Sequence, residues 1–195
     1  MRFFILLISF GLLFNVSSNL YSQEKVQPKY DIRKANWGMT KDEVKKSESA
    51  QLMNEDFTTV QYNTDLGSLY YYFTVEDKLF SAKFVQEDFY QDTDEYINHY
   101  ERIKSAFLGK SYVVKSCEEK WKKGKVKTAT NTLANALFHG DVRLNCVMQN
   151  QKTYLEMLLY KDVSNQKTIL IIKYESISMH IYEKERKEKE LIDNL

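Results

Sequence analysis

The sequence predicts an α+β fold, an antiparallel sheet with helices on one face, and three observations predict it. A charged segment near the start of the chain opens with a helix-capping pattern. Short alternating runs rich in tyrosine, phenylalanine and β-branched residues follow, separated by tight polar connections. Between two groups of such runs, apolar residues recur at helical spacing. This organisation reads as a single α+β domain over residues 34–176. It is divisible into two helix-plus-three-strand units, 34–90 and 91–176, and is followed by a charged helical tail, 177–195.

The first residues read as a signal peptide rather than as part of the fold. Met1 and Arg2 precede an uncharged stretch, "FFILLISFGLLFNV" (3–16), and then small polar residues. The apolar stretch falls short of the roughly 20 residues that a membrane span needs. Cleavage after Ser18 and cleavage after Ser22 both suit the pattern, and neither leaves a cysteine at the new N-terminus. The expected location is therefore exported, periplasmic rather than extracellular, with no membrane span once residues 1–22 are removed. Residues 23–33 are polar and read as a flexible leading segment.

"KANWGMTKDEVKKSES" (34–49) follows. Thr40 and Glu43 form a capping box, in which each side chain satisfies a backbone N–H that the first turn leaves free. Met39 and Val44 supply the accompanying hydrophobic staple, Gly38 allows a tight entry, and Trp37 can lie over the core. The helix, about 41–50, has a weak apolar face and must be short. Strands are predicted at 58–63, 69–75 and 79–86, the last two joined as a hairpin through "EDK". Leu69, Tyr71, Phe73 and Val75 share one face, Tyr70, Tyr72 and Thr74 the other; Phe80, Ala82 and Phe84 look inward.

A second helix is capped by Asp92 with Glu95, carries Tyr96, Tyr100, Ile103 and Phe107 at helical spacing, and ends at Gly109. Residues 110–127 read as a basic loop: seven lysines (110, 115, 120, 122, 123, 125 and 127) against Glu118 and Glu119, with Trp121 among them. "TNTLANALFHG" reads as a short helix. Strands are predicted at 141–149, 153–160 and 167–174. The third of these is apolar on both faces and so belongs at the centre of the sheet. The tail carries Glu183–Lys187 and Glu185–Lys189 at i,i+4.

Composition excludes some functions. Removing Arg2 from the 28 basic residues balances them against the 27 acidic ones, which disfavours a nucleic-acid binder that must neutralise phosphates. Two cysteines, Cys117 and Cys146, in an exported chain favour one disulfide, with two buried free thiols as the alternative. The bridge would close a loop of about 30 residues, worth roughly 3–4 kcal/mol in the chain-entropy model. His99, His139 and His180 lie far apart with no metal-ligand spacing, and His99 is expected on a helix surface. A Cys–His pair made with His139 competes with the disulfide. No phosphate loop or nucleophile elbow appears, and the acidic "EDFYQDTDEY" lacks the turn glycine of a calcium loop. The expectation is no enzyme, no catalytic residue, no metal and no cofactor.

Trp37-Gly38-Met39-Thr40 with Glu43 and Val44 resembles the helix entry of small exported bacterial proteins in the group of the outer-membrane assembly lipoprotein BamE and the β-lactamase-inhibitor-protein-like domains. The order of elements is similar too. The chain lacks the lipid-attachment cysteine of the assembly lipoproteins, and "SESAQLMNE" stands where L-G-x-P commonly closes the first helix region. The resemblance implies an envelope protein that binds another protein across its sheet.

Two surfaces are candidates for such binding. Tyr70, Tyr72, Tyr154 and Tyr160 can share the sheet face away from the helices, with Trp37 adding apolar contact; tyrosine is enriched at interfaces. Lys120, Trp121, Lys122 and Lys123 could bias the electrostatics toward an acidic partner. The expected partner is another envelope protein. The alternative is an anionic envelope polymer or small amphiphile held by the lysine-rich 110–127 loop and a pocket between sheet and helix.

Overall fold

The computed structural model describes residues 30–87 and 90–193. The signal-peptide reading of 1–22 therefore lies outside the described residues. The chain forms helix α1 (Lys41–Ser47), strands β1 (Gln51–Glu55), β2 (Thr59–Thr64), β3 (Gly67–Phe73) and β4 (Leu79–Glu87), then helix α2 (Thr93–Gly109). Strand β5 (Val113–Trp121), helix α3 (Leu133–Phe138), strands β6 (Val142–Gln149), β7 (Thr153–Asp162) and β8 (Lys167–Ser176), and helix α4 (Ile177–Asp193) complete it. All eight strands form one antiparallel sheet in the order β1-β2-β3-β4-β8-β7-β6-β5. Two four-stranded meanders thus meet along their last strands, β4 against β8.

Each meander has four strands rather than the expected three. The additional strands, β1 and β5, are the two edges of the sheet, and every residue in them except Trp121 is exposed. The basic 110–127 loop is corrected accordingly: its first half is mainly edge strand β5, Val113–Trp121, and the rest follows as an exposed connection. Two of the seven lysines, Lys115 and Lys120, lie on this edge strand, where lysine discourages pairing with another chain. β8 lies at the centre between β4 and β7, as its two apolar faces require.

Side chains on one face of the sheet, with those of the helices, form the two core clusters. Val60, Tyr62, Leu69, Tyr71 and Ala82 pack with Val44 of α1 and with Ile32 and Ala35. Leu144, Cys146, Met148, Leu155, Met157, Leu159, Leu170 and Ile172 pack with Tyr96 and Tyr100 of α2 and with Ala136 and Leu137 of α3. Residues 30–33, assigned by sequence to the leading segment, are partly built into this layer: Ile32 is buried and pairs with Ala35.

Local chemistry explains the entries and turns. Thr40 Oγ1 accepts the Glu43 N–H at 3.3 Å and a Glu43 carboxylate oxygen accepts the Thr40 N–H at 2.8 Å, closing the capping box. Gly67, at φ +149°, ends the tight β2–β3 turn where a Cβ would meet the Val85 carbonyl, so only glycine fits. A bulge between Tyr72 and Phe73 shifts the β3–β4 register, so Leu79 rather than Phe80 fills the fully buried position. Val75 lies beyond the strand end and is exposed. In α4, Lys184 and Glu188 lie 3.9 Å apart at i,i+4, while the expected Glu183–Lys187 pair lies outside the described side chains. Among the described residues no helix is long and apolar enough to cross a membrane.

Candidate docking surface

Helices α1, α2 and α3 pack on the core face, leaving the opposite face of the sheet without helical cover from them. The strand register lays out that open face in rows. Thr59, Tyr72, Ser81, Glu175, Tyr154 and Gln149 form one row across β2, β3, β4, β8, β7 and β6. The next runs Gln61, Tyr70, Lys83, Lys173, Glu156 and Val147. The third is Ser68, Val85, Ile171, Leu158 and Asn145. At the far end stand Glu87, Ile169, Tyr160, Arg143 and Lys120.

All four tyrosines therefore lie on the open face, but not as one cluster. Tyr70 and Tyr72 are on β3, and Tyr154 shares the Tyr72 row on β7, about 14 Å away across three strand spacings. Tyr160 stands at the other end of β7. Lys83 Nζ lies 4.7 Å from the Tyr70 ring centre and 6.0 Å from that of Tyr72, so one ammonium joins the pair. Gln61 Nε2 donates to the Tyr70 hydroxyl at 3.3 Å. The Arg143 guanidinium lies 5.4 Å from the Tyr160 ring centre. Tyr154 borders a crevice with Ile177 and Ile181, where α4 leaves the sheet.

Between the tyrosines, Val85, Ile171 and Leu158 make a half-buried apolar row, flanked by Lys83 and Lys173. Sequence reasoning missed this row. Its signal is the two-sided apolar pattern of β8, which by itself indicates only a central position.

The remaining candidates lie elsewhere. Trp37 sits on the helix side, half-buried against the core, and its indole N–H donates to Thr153 Oγ1 at 2.9 Å. It ties the chain entry to β7 and is not part of the open face. Trp121 also packs against the core, with its N–H donating to Glu119 at 3.1 Å. Lys120 is on the open face at the edge, 2.9 Å from Glu118. Lys122 and Lys123 follow β5 as an exposed turn, anchored by the Lys122 N–H to the Asp141 carbonyl. Lys125 and Lys127 pair with Asp141 and Glu119 at 3.0 and 3.7 Å.

Cys117 and Cys146 are joined in a disulfide between β5 and β6, which closes off the Cys–His pairing considered from sequence. His99 is half-buried rather than on the helix surface: its Nε2 lies 3.1 Å from Gln86 Oε1 and its ring meets Tyr90. Burial, with Arg102 nearby, pushes its pKa below the ordinary histidine value. His139 caps α3 and stacks edge-on with Phe138.

No protein-family model matches the chain, and no curated protein or solved structure matches it either.

Proposed function

We propose that the chain is a non-enzymatic, exported protein-interaction module of the bacterial envelope, probing a protein partner with the open face of its sheet. The observation that carries this reading is the continuous face on which Tyr70, Tyr72, Tyr154 and Tyr160 surround the Val85–Ile171–Leu158 row, with no cover from α1–α3. Aromatic side chains, a central apolar strip and a charged border are the composition of protein interfaces. The resemblance of the helix entry to exported envelope proteins supports the compartment and the use of the sheet. The anionic-polymer alternative is weaker, because three of the seven lysines in 110–127, Lys120, Lys125 and Lys127, are ion-paired and Lys110 lies apart from them at the end of α2.

The test is a Tyr70→Ser, Tyr72→Ser double variant, tagged and captured from crosslinked envelopes. Both side chains are half-buried on the open face and outside the core clusters, so each change should cost about 1 kcal/mol of folding stability. The expected result is loss of a stoichiometric protein partner with a thermal midpoint within a few degrees of wild type. Unchanged capture by a folded double variant overturns the assignment of these tyrosines. Retention on an anionic polymer that salt removes, with no protein captured, favours the lysines instead.

A further inference from the structure

We propose that a cavity on the helix side, at the seam between the two meanders, is a binding site for a small amphiphilic anion. The ligand would be an alkyl or aryl carboxylate with its tail inside and its head at the mouth. This site lies on the opposite face from the docking surface and is independent of it. The cavity is about 430 Å³, within the range of small-molecule sites. Its apolar walls are Leu69, Phe84, Ile103, Phe107, Ile172 and Tyr174. Phe84 and Tyr174 each border both core clusters, so the cavity is the gap that remains where the two clusters meet. It opens to solvent beside exposed Leu66 and Lys110, so a ligand can reach the apolar walls.

The charges at the mouth choose the ligand's sign. Arg33 is there, with Nε 3.3 Å from Glu48. Asp31 is there too, but its carboxylate accepts the Trp37 N–H at 3.1 Å and lies 3.4 Å from the Lys152 ammonium. Lys110, at the C-terminal end of α2, has no acidic partner among the described residues. One positive charge is thus left uncompensated beside an apolar cavity. Tyr174 adds a polar wall group: its hydroxyl has no hydrogen-bond partner among the described residues, and it lines the cavity. Burial pushes its pKa up, so it remains a neutral donor at any ordinary pH.

Decanoate is the probe, titrated calorimetrically into the chain lacking residues 1–22, beside decan-1-ol and decyltrimethylammonium. The expected result is one decanoate per chain, at least about tenfold tighter than the cationic analogue at low salt, with a raised thermal midpoint. Lys110→Glu should weaken decanoate about tenfold and leave decan-1-ol unchanged. Ile103→Trp, which fills the cavity, should remove binding of both. Should that variant fail to fold, Leu66→Glu, on an exposed turn at the mouth, gives the second reading and should weaken decanoate as Lys110→Glu does. Four results overturn the proposal: no binding of decanoate; equal affinity for the cationic analogue; binding that survives these substitutions in folded protein; or binding that appears only after residues 23–29 are also removed. The last would make the chain's own leading segment the occupant.

Discussion

The Cys117→Ala, Cys146→Ala double variant is expected to lose about 3–4 kcal/mol of folding stability. The bridge closes a loop with a sequence separation of 29, and that constraint on the unfolded chain is the largest single contribution we assign to any pair of residues. Its position adds a local consequence. Among the described residues β5 pairs only with β6, and all its residues but Trp121 are exposed, so little apolar burial holds it. Without the bridge, the β5 amides should exchange with solvent well before those of β8. Urea denaturation checks the global effect: reductant should lower the wild-type midpoint toward that of the double variant and leave the variant unmoved. Equal midpoints with and without reductant would refute the assignment.

Arg33→Met is expected to cost about 3 kcal/mol, for a different reason. The Glu48 side chain is fully buried, while the Arg33 side chain beside it is 40% exposed. The Tyr71 hydroxyl donates to Glu48 Oε1 at 2.6 Å. Glu48 Oε2 lies 3.3 Å from Arg33 Nε but makes no hydrogen bond, so that contact is ionic. Burial and the neighbouring Glu48 push the Tyr71 pKa well up, which keeps its hydroxyl a donor throughout the working pH range. Removing Arg33 strands a buried carboxylate, at the lower end of the roughly 3–5 kcal/mol such losses cost because Arg33 is partly solvated. Tyr71→Phe should cost about 2 kcal/mol through the lost charge-assisted hydrogen bond. Replacing all three together, as Arg33→Met, Glu48→Met and Tyr71→Phe, should cost less than the sum of the single changes, since no charge is left unpaired. Additive losses in chemical denaturation would show that the three do not act as a unit.

The elements that sequence revealed are those with an inside and an outside. Tyr96, Tyr100, Ile103 and Phe107 mark α2 because one side of that helix is buried. β3 and β7 alternate because one face meets the core and the other does not. β1 and β5 were hidden for the complementary reason. Alternation records burial, and an edge strand with neither face well covered has none to record; its identity rests on a partner strand that pattern alone does not reveal. "QLMNE" therefore read as the end of a helix region and "VVKSCEEKW" as part of a basic loop.

The docking surface was legible one strand at a time. That Tyr70 and Tyr72 oppose Leu69 and Tyr71 follows from the two-residue period of a strand. That Tyr154 and Tyr160 come to the same side depends on the register through β4 and β8, where Lys83 meets Lys173 and Val85 meets Ile171. Sequence does not fix that register, so the apolar row between the tyrosines went unseen. Trp37 shows the opposite limit: its position at a helix entry was readable, but its bond to Thr153, 116 residues away, was not.

The most direct test of the account is photocrosslinking from the open face in intact envelopes. A photoreactive residue at Lys173, near the middle of that face, is compared with one at Asn98, exposed on α2. The account predicts a single defined protein adduct from position 173 and none from position 98. Adducts from 98 alone, or from neither position, would contradict a partner bound across the sheet.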